Sequence, residues 1–224
     1  MNFIILGYGV PKNVLNDNNY NFYLRTVFNK IFDLARSKKA IIIFSGGKTN
    51  LLLPYNKSEG SEMLKLFRVL CRRKFLASKI RNWKILAETT AISTLENLVN
   101  SRRLLKSKKL LSGLVYIFCE QTRGGRVKII ARKIFGKNIK VISIDFDNNS
   151  NRYLAEKFIR EKESRELKLA LWSLKNPENF KQAHQFYQDK FKYFRKIKKS
   201  GEDVNFIREW WETKQREFIN KIIK

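Results

Sequence analysis

The sequence predicts an α/β protein: a Rossmann-like domain with a five-stranded, mainly parallel sheet, helices on both of its faces and a C-terminal helical extension. Between residues 1 and 145, five short apolar, β-branched runs alternate with helical patterns, which is typical of a doubly wound sheet. Several of these runs lack polar alternation, as strands buried on both faces do. After residue 147 the patterns are helical only. We therefore expect a Rossmann-like domain at 1–147 and a helical extension, packed on it, at 148–224.

The apolar runs define the predicted strands. They occupy residues 3–6, 40–44, 84–87, 114–118 and 139–144.

Apolar residues at helical spacing fill the segments between the strands. The first helix is predicted from Tyr20, Tyr23, Leu24, Val27, Phe28, Ile31 and Leu34, and the second from Met63, Leu64, Phe67, Leu70 and Cys71. Ser93 and Glu96 have capping-box spacing and predict the start of a third helix. A fourth helix is expected at about residues 125–135.

The predicted extension follows a turn-forming cluster at residues 148–151. We expect one helix over residues 152–174, ended by Asn176-Pro177, and a second from about 178 to 199. A third carries apolar residues from Phe206 to Ile222. Its Trp210-Trp211 pair would pack inside the extension and against the sheet domain, or else form a dimer surface.

Composition excludes several classes of protein. With 43% hydrophobic residues among 224, the chain can bury a core and is not intrinsically disordered. Two cysteines cannot form a disulfide framework or a four-ligand zinc site. No apolar run approaches the roughly 18 residues that span a bilayer. These features favour a cytoplasmic protein with reduced thiols.

The net charge of +27 has two interpretations. It indicates either a partner that is a polyanion or an anionic ligand, or a lysine-rich composition without functional meaning. Residues 102–143 carry twelve basic side chains and one acidic side chain, so the excess is concentrated there. This basic block favours nucleic acid or an anionic membrane as a partner, but the chain lacks a motif that combines stacking aromatic and basic residues.

Ligands of an open parallel sheet bind beyond the carboxyl ends of its strands. The predicted strands are followed by Gly7-Tyr8-Gly9, Ser45-Gly46-Gly47, Glu88, the segment from Glu120 to Arg126, and Asp145 with Asp147. Backbone N–H groups at such glycines can cradle an anion, although neither glycine loop is a nucleotide-binding fingerprint.

Several carboxylates at these strand ends are suited to acid–base chemistry or to a divalent cation. They are Glu88, Glu120 and Asp145, and each would otherwise cap a helix or pair with Arg123 and Arg126. The single histidine, His184, lies in the extension. We expect it to pack or to face solvent, away from the strand ends.

An ordered set of motifs resembles the YdcF/SanA/ElyC family of bacterial α/β domains of unknown function. The set comprises Gly7-Tyr8-Gly9, Ser45-Gly46-Gly47, the run from Ser58-Glu59 to Met63, and Glu88 followed by Thr94, Glu96 and Asn97. The resemblance covers roughly residues 2–147. It implies a Rossmann-like fold and a cleft lined by Ser45, Gly46, Gly47, Glu59, Glu88, Thr94, Glu96 and Asn97.

The chain departs from the family pattern at two positions. Arg123 stands where the family often has a histidine, and Ala91 stands where it has a serine, whereas Arg126 keeps the family arginine. Chemistry that depends on the histidine is therefore not implied for this chain.

The leading hypothesis is a YdcF-like protein that binds a phosphorylated or nucleotide-like small molecule in the strand-end cleft. Ser45-Gly46-Gly47 would hold the anion, and Arg126 with Arg123 would neutralise its charge. Glu88 and Glu96 are the candidate catalytic residues if the protein is a hydrolase or a transferase. No metal site is assigned, and the cofactor and oligomeric state stay open.

Two alternatives remain beside that hypothesis. One is a non-enzymatic binder of nucleic acid or anionic membrane through the basic block at 102–143. The other is a protein-interaction scaffold with an aromatic patch on its helical extension.

Overall fold

The computed structural model describes residues 1–51, 53–72, 76–146, 156–200 and 205–222. The predicted turn cluster at 148–151, and Asp147 before it, lie outside the described residues. The fold class predicted from the sequence is confirmed: a Rossmann-like α/β sheet with C-terminal helices.

Five parallel strands form one sheet in the order β3-β2-β1-β4-β5. They are β1 (Asn2–Leu6), β2 (Ala40–Ser45), β3 (Trp83–Glu88), β4 (Val115–Glu120) and β5 (Ile139–Ile144). All five predicted strands exist, within one or two residues of the predicted ends. The sheet is parallel throughout, not only mainly parallel.

Helices connect the strands and continue the chain beyond them. They are α1 (Asn18–Ala35), α2 (Glu59–Cys71), α3 (Ala77–Ile80), α4 (Thr94–Ser107), α5 (Gly124–Phe135), α6 (Glu156–Ser173), α7 (Pro177–Ser200), α8 (Asn205–Glu212) and α9 (Lys214–Ile222). A 3₁₀ turn at Gln121–Arg123 precedes α5. The sequence did not predict α3.

The third predicted helix of the extension is two helices, α8 and α9, which are separated only by Thr213; the Thr213 N–H still donates to the Glu209 carbonyl oxygen at 2.9 Å. The Thr213 hydroxyl donates to the carbonyl oxygen of Glu209 at 2.7 Å. A threonine that bonds back to the preceding turn in this way loosens and bends a helix.

Two apolar cores lie on opposite faces of the sheet. Phe3 and Ile5 of β1 belong to the core that packs under α1 and α2. Ile4 and Leu6 belong to the core beneath α4 and α5. Both sets are fully buried, since neighbouring side chains of a strand point to opposite faces.

A third apolar core holds the extension together. It combines aromatic residues of α7 and α8, including Phe186, Phe194 and Trp210, with Leu169 of α6. Leu51 and Ile92, from two strand-end loops of the sheet domain, pack against it. Trp210 and Trp211 are buried in this core. We call α6 to α9 the cap, because they lie over the carboxyl ends of the strands.

The order of the strands fixes where a ligand cleft can form. The chain runs from β1 to β2 and β3 on one side of the sheet, and then crosses to β4 and β5 on the other. The loops after β1 and β4 consequently diverge and leave a crevice at their carboxyl ends.

Candidate functional site

A cavity of about 590 Å³ occupies this crevice, between the strand-end loops and the cap. Its volume is within the range of small-molecule sites. Of the residues predicted from the sequence, the structure places Gly7, Tyr8, Gly9, Glu59, Thr94, Asn97, Arg123 and Arg126 in its lining. Ser45, Gly46, Gly47, Glu88 and Glu96 are outside the lining.

Glu59, the first residue of α2, holds the loops after β1 and β2 together. Its Oε1 accepts hydrogen bonds from the Gly9 N–H at 2.7 Å and from the Thr49 hydroxyl at 2.6 Å. Its Oε2 lies so close to two loops that a Cβ added at Gly7 or Gly46 would approach it to 2.1 or 2.3 Å. Glycine is needed at both positions for this reason.

The environment of Glu59 favours its protonated form. Burial raises the pKa of this carboxyl, while the hydrogen bond from Thr49 and the nearby Arg123 partly oppose the shift. Glu59 therefore combines a place in the cavity lining with a proton that it can hold nearer to neutral pH than an exposed glutamate can.

The segment Ser45-Gly46-Gly47 supports the loops and does not offer its polar groups to the cavity. The buried Ser45 hydroxyl donates to Glu88 Oε2 at 2.7 Å. The N–H groups of Gly46 and Gly47 donate to the carbonyl oxygens of Glu88 and Ala91. The N–H groups of Gly46 and Gly47, which we expected to bind an anion, are thus already bound to carbonyl oxygens of the protein.

Glu88 organises the loop that follows β3. Its Oε1 accepts from the Thr90 N–H at 2.7 Å, the Thr90 hydroxyl at 2.6 Å and the Ala91 N–H at 3.1 Å. With Ser45 on the other oxygen, both carboxylate oxygens are bound. Glu88 therefore has a structural role, which was the alternative expected for the strand-end carboxylates. Glu120 has a similar role, because it accepts a hydrogen bond from the Thr122 N–H at 2.9 Å.

Glu96 and Asn97 begin α4 and point to different partners. Asn97 lines the cavity. Glu96 Oε2 accepts from the Ile92 N–H at 3.0 Å, and its Oε1 lies 3.1 Å from Nδ1 of His184. The expectation that His184 stays away from the strand ends is wrong, because packing of α7 across these loops brings its ring onto Glu96.

Arg123, in the 3₁₀ turn after β4, reaches across the crevice. Its Nη2 donates to the Gly7 carbonyl oxygen at 3.0 Å, and its guanidinium carbon lies 4.9 Å from the centre of the Tyr8 ring. Within the described residues, its buried Nε has no hydrogen-bond partner. Arg123 therefore still has donor capacity inside the cavity.

Arg126, by contrast, is taken up by the cap. Its Nε and Nη2 donate to Glu163 at 2.7 and 3.3 Å, and its Nη1 donates to Glu166 at 2.9 Å. The Tyr187 hydroxyl donates to the same Glu166 at 2.7 Å. This buried network joins α5 of the sheet domain to the cap. It also neutralises the positive charge of Arg126, which the sequence analysis had assigned to ligand binding.

The cap supplies three cavity lysines that the sequence reasoning missed. Lys162 of α6 and Lys190 and Lys198 of α7 line the cavity, and burial lowers the pKa of Lys162 and of Lys190, for Lys190 to about 8. The sequence did carry a signal for Lys190. It stands between Tyr187 and Phe194 at helical spacing, so it interrupts an otherwise aromatic face of α7.

The described residues bring no group of three or more His, Cys, Asp or Glu side chains together in a way that could hold a metal ion. None of the described helices has the length and apolar composition to cross a membrane. No protein-family model, curated protein or solved structure matches this chain.

Proposed function

We propose that the cavity binds a phosphorylated or nucleotide-like small molecule. The observation that carries the proposal is the charge of its lining: five basic side chains, from Arg123, Arg126, Lys162, Lys190 and Lys198, face two acidic ones. A partly enclosed site with such an excess attracts anions strongly, because its low dielectric weakens screening.

The free part of that charge lies with three residues. Arg126 is neutralised by Glu163 and Glu166, and Lys162 lies 3.7 Å from the same Glu163. Among the described residues, Arg123, Lys190 and Lys198 have no carboxylate partner and keep their charge for a ligand. Ser93 and Thr94, which start α4, also line the cavity, and the positive end of a helix dipole favours a phosphate there.

The remaining lining suits a flat or apolar group attached to the anion. Phe191, Phe194 and Trp211 of the cap and Tyr8 of the loop after β1 line the cavity. Aromatic faces of this kind stack on a base or another planar ring at about 1–3 kcal/mol each.

We also infer that the chain is a divergent relative of the YdcF/SanA/ElyC family. The motifs that carry the resemblance lie at the ends of β1, β2 and β3 and at the starts of α2 and α4, around one cavity. A hydrolase or a transferase is the enzymatic form of this proposal, and Glu59 is then the lining carboxyl best suited to acid–base work. Glu88 and Glu96, our earlier candidates, would act as supporting residues.

The test is a calorimetric titration with adenosine diphosphate and, as its uncharged match, adenosine. Lys162→Met and Arg123→Met remove cavity charge, and Lys192→Met removes an exposed charge from α7. We expect the diphosphate to bind more tightly than adenosine. Each cavity variant should lose roughly tenfold or more in affinity, the value of a charge-assisted hydrogen bond. Equal losses in all three variants, or no saturable binding by the unaltered protein, would contradict the proposal.

A second candidate function is binding of nucleic acid, and a groove outside the cavity favours it. Arg102, Arg103 and Lys106 of α4 and Lys133 of α5 line a depression of about 360 Å³, and no acidic residue takes part in its described lining. This groove lies within the basic block at 102–143.

Fluorescence anisotropy with labelled single-stranded RNA and double-stranded DNA tests this candidate. Affinity should fall steeply with salt, and the combined Arg103→Gln and Lys106→Gln variant should reduce that slope by about one per lost phosphate contact. Weak binding at low salt would refute it, and binding to anionic vesicles alone would assign the groove to a membrane instead.

A further inference from the structure

The side-chain amine of Lys190 has four aromatic rings around it at the cavity wall. Its Nζ lies 4.6 Å from the ring centre of Trp211, 4.7 Å from that of Phe191 and 5.2 Å from that of Tyr187. Phe194 adds a fourth ring at 5.8 Å. The amine therefore lies among four aromatic rings at the wall of the cavity, although Lys190 is partly exposed.

No carboxylate pairs directly with this amine. Among the described residues, none places a carboxylate oxygen within 4.0 Å of Lys190 Nζ. Glu166 of α6, which also lines the cavity, accepts instead from Arg126, Tyr187 and Gln215. Lys190 consequently has aromatic rings and no carboxylate as its neighbours, although a lysine withdrawn from water is usually paired with one.

The charged groups around Lys190 come from every element that faces it. Lys162 on α6 and Arg126 on α5 repel its proton, whereas Glu166 on α6 and Glu59 on α2 attract it. The aromatic rings also attract the ammonium form. Burial is the largest influence, and with it the pKa of Lys190 falls to about 8.

An amine that is desolvated in an apolar pocket, with a second cation beside it, is the known arrangement of a nucleophilic lysine. Lowering the pKa exposes the lone pair near neutral pH, when an ordinary lysine is almost wholly protonated. If cation–π packing were the only role of Lys190, its amine would not need to face a cavity that is also lined by anion-binding residues.

We propose that Lys190 is a nucleophile that forms an imine with an aldehyde or ketone carrying an anionic group. The inference rests on the proposed function, because Arg123 and Lys162 would hold the anionic group while the aromatic rings contact the apolar remainder. The substrate class is thereby narrowed to anionic carbonyl compounds.

The step balances without any oxidant or reductant. The neutral amine of Lys190 attacks the carbonyl carbon, and one of its two protons passes to the carbonyl oxygen to give a carbinolamine. The C–O bond then breaks as the nitrogen lone pair forms the C=N bond, the second N–H proton passes to the departing oxygen, and water and the imine remain. Glu59 lines the same cavity, and burial raises the pKa of its carboxyl. It is thus the carboxyl that would donate and take back protons.

Pyridoxal 5′-phosphate is a suitable probe, because it combines a phosphate, an aromatic ring and an aldehyde. Pyridoxine 5′-phosphate has an alcohol at the same carbon and cannot form an imine. The protein is incubated with substoichiometric aldehyde at pH 7, reduced with borohydride, digested and mapped by mass spectrometry. The alcohol is titrated separately by calorimetry.

We expect Lys190 to be labelled roughly tenfold or more faster than Lys192, which lies on the same helix with its side chain 72% exposed. Lys190→Arg keeps the positive charge but removes the nucleophile. This variant should lose the label at position 190, whereas Lys192→Arg, a change outside the cavity lining, should leave both the labelling of Lys190 and the binding of the alcohol unchanged.

Two outcomes separate the inference from the proposed function. If the alcohol binds but Lys190 is labelled no faster than Lys192, the imine inference is overturned and anion binding stands. If the alcohol does not bind and labelling is spread over the exposed lysines, both fail. The mapping of the unaltered protein decides this even if a Lys190 variant does not fold.

Discussion

Replacing Glu166 by alanine should loosen the cap more than any surface change. Glu166 is 4% exposed and accepts from Arg126 at 2.9 Å, Tyr187 at 2.7 Å and Gln215 at 2.7 Å. These donors come from α5, α7 and α9, so a single carboxylate joins three helices to α6. Its removal leaves two buried donors unpaired and one arginine with half its partners.

The magnitude follows from those contacts. An orphaned buried donor costs about 1–3 kcal/mol, and breaking a buried ion pair costs about 3–5 kcal/mol. Because Arg126 keeps its ion pair with Glu163, we expect Glu166→Ala to lower the free energy of unfolding by about 3–4 kcal/mol, the lower half of the range for a broken buried ion pair. In a chain of this length, the melting temperature would fall by about 10 °C.

Urea unfolding followed by tryptophan fluorescence measures this loss, because three of the four tryptophans lie in the cap. Glu212→Ala is the matched control. It breaks the pair between Arg208 and Glu212, whose side chains are 62% and 40% exposed, and should cost less than about 1 kcal/mol. A loss for Glu166→Ala no larger than that of the control would refute the reasoning.

Three further predictions concern stability. Glu88→Ala should lower the free energy of unfolding by about 3 kcal/mol or more, measured by urea denaturation, since the donors on both of its oxygens lose their acceptor. Gly60→Ala should strongly destabilise the fold, because the added Cβ would lie 2.4 Å from the Glu88 carbonyl oxygen. Gly125→Ala, whose Cβ would meet nothing within 4 Å, should stabilise α5 by about 0.5 kcal/mol. Thermal melts of the two variants measure this difference. Finally, the lowered pKa of Lys190 means that its ammonium form reduces the free energy of unfolding below pH 8, and that this loss is relieved as the pH rises from 8 to 10.5, the pKa of an ordinary lysine. Unfolding free energies of the unaltered protein should thus rise by about 2–3 kcal/mol relative to Lys190→Met from pH 7 to 10, and parallel pH profiles would contradict the assignment.

Local pattern accounts for what the sequence predicted well. Strand and helix identities follow from hydrophobic periodicity, which each segment carries by itself. The start of α4 was readable for the same reason: the hydroxyl of Ser93 accepts from the Glu96 N–H three residues later at 3.2 Å, as the capping-box spacing predicted. The break at Thr213 was missed because apolar spacing continues across it.

Only part of the site could be predicted from the sequence. Hydrophobic periodicity indicates which face of a helix or strand carries a side chain, but it does not indicate which residues that side chain contacts. The sequence placed Glu59, Asn97 and Arg123 near the strand ends correctly. It also offered Arg126 to a ligand, yet the partners of Arg126 on α6 lie 37 and 40 positions along the chain. His184 and Glu96 are 88 positions apart, and no local signal joins them.

By itself, the sequence determined the order of strands and helices, the parallel sheet and the edge at which a cavity forms, since all three depend on local pattern and chain connectivity. Only the tertiary structure decided which charges the cavity keeps. Packing of the cap over the strand ends neutralised Arg126, left the Nε of Arg123 without a partner among the described residues, and partly buried Lys162 and Lys190 at the cavity wall. Charge in a folded protein depends on partners and burial, and both are set by segments that meet only after the chain has folded.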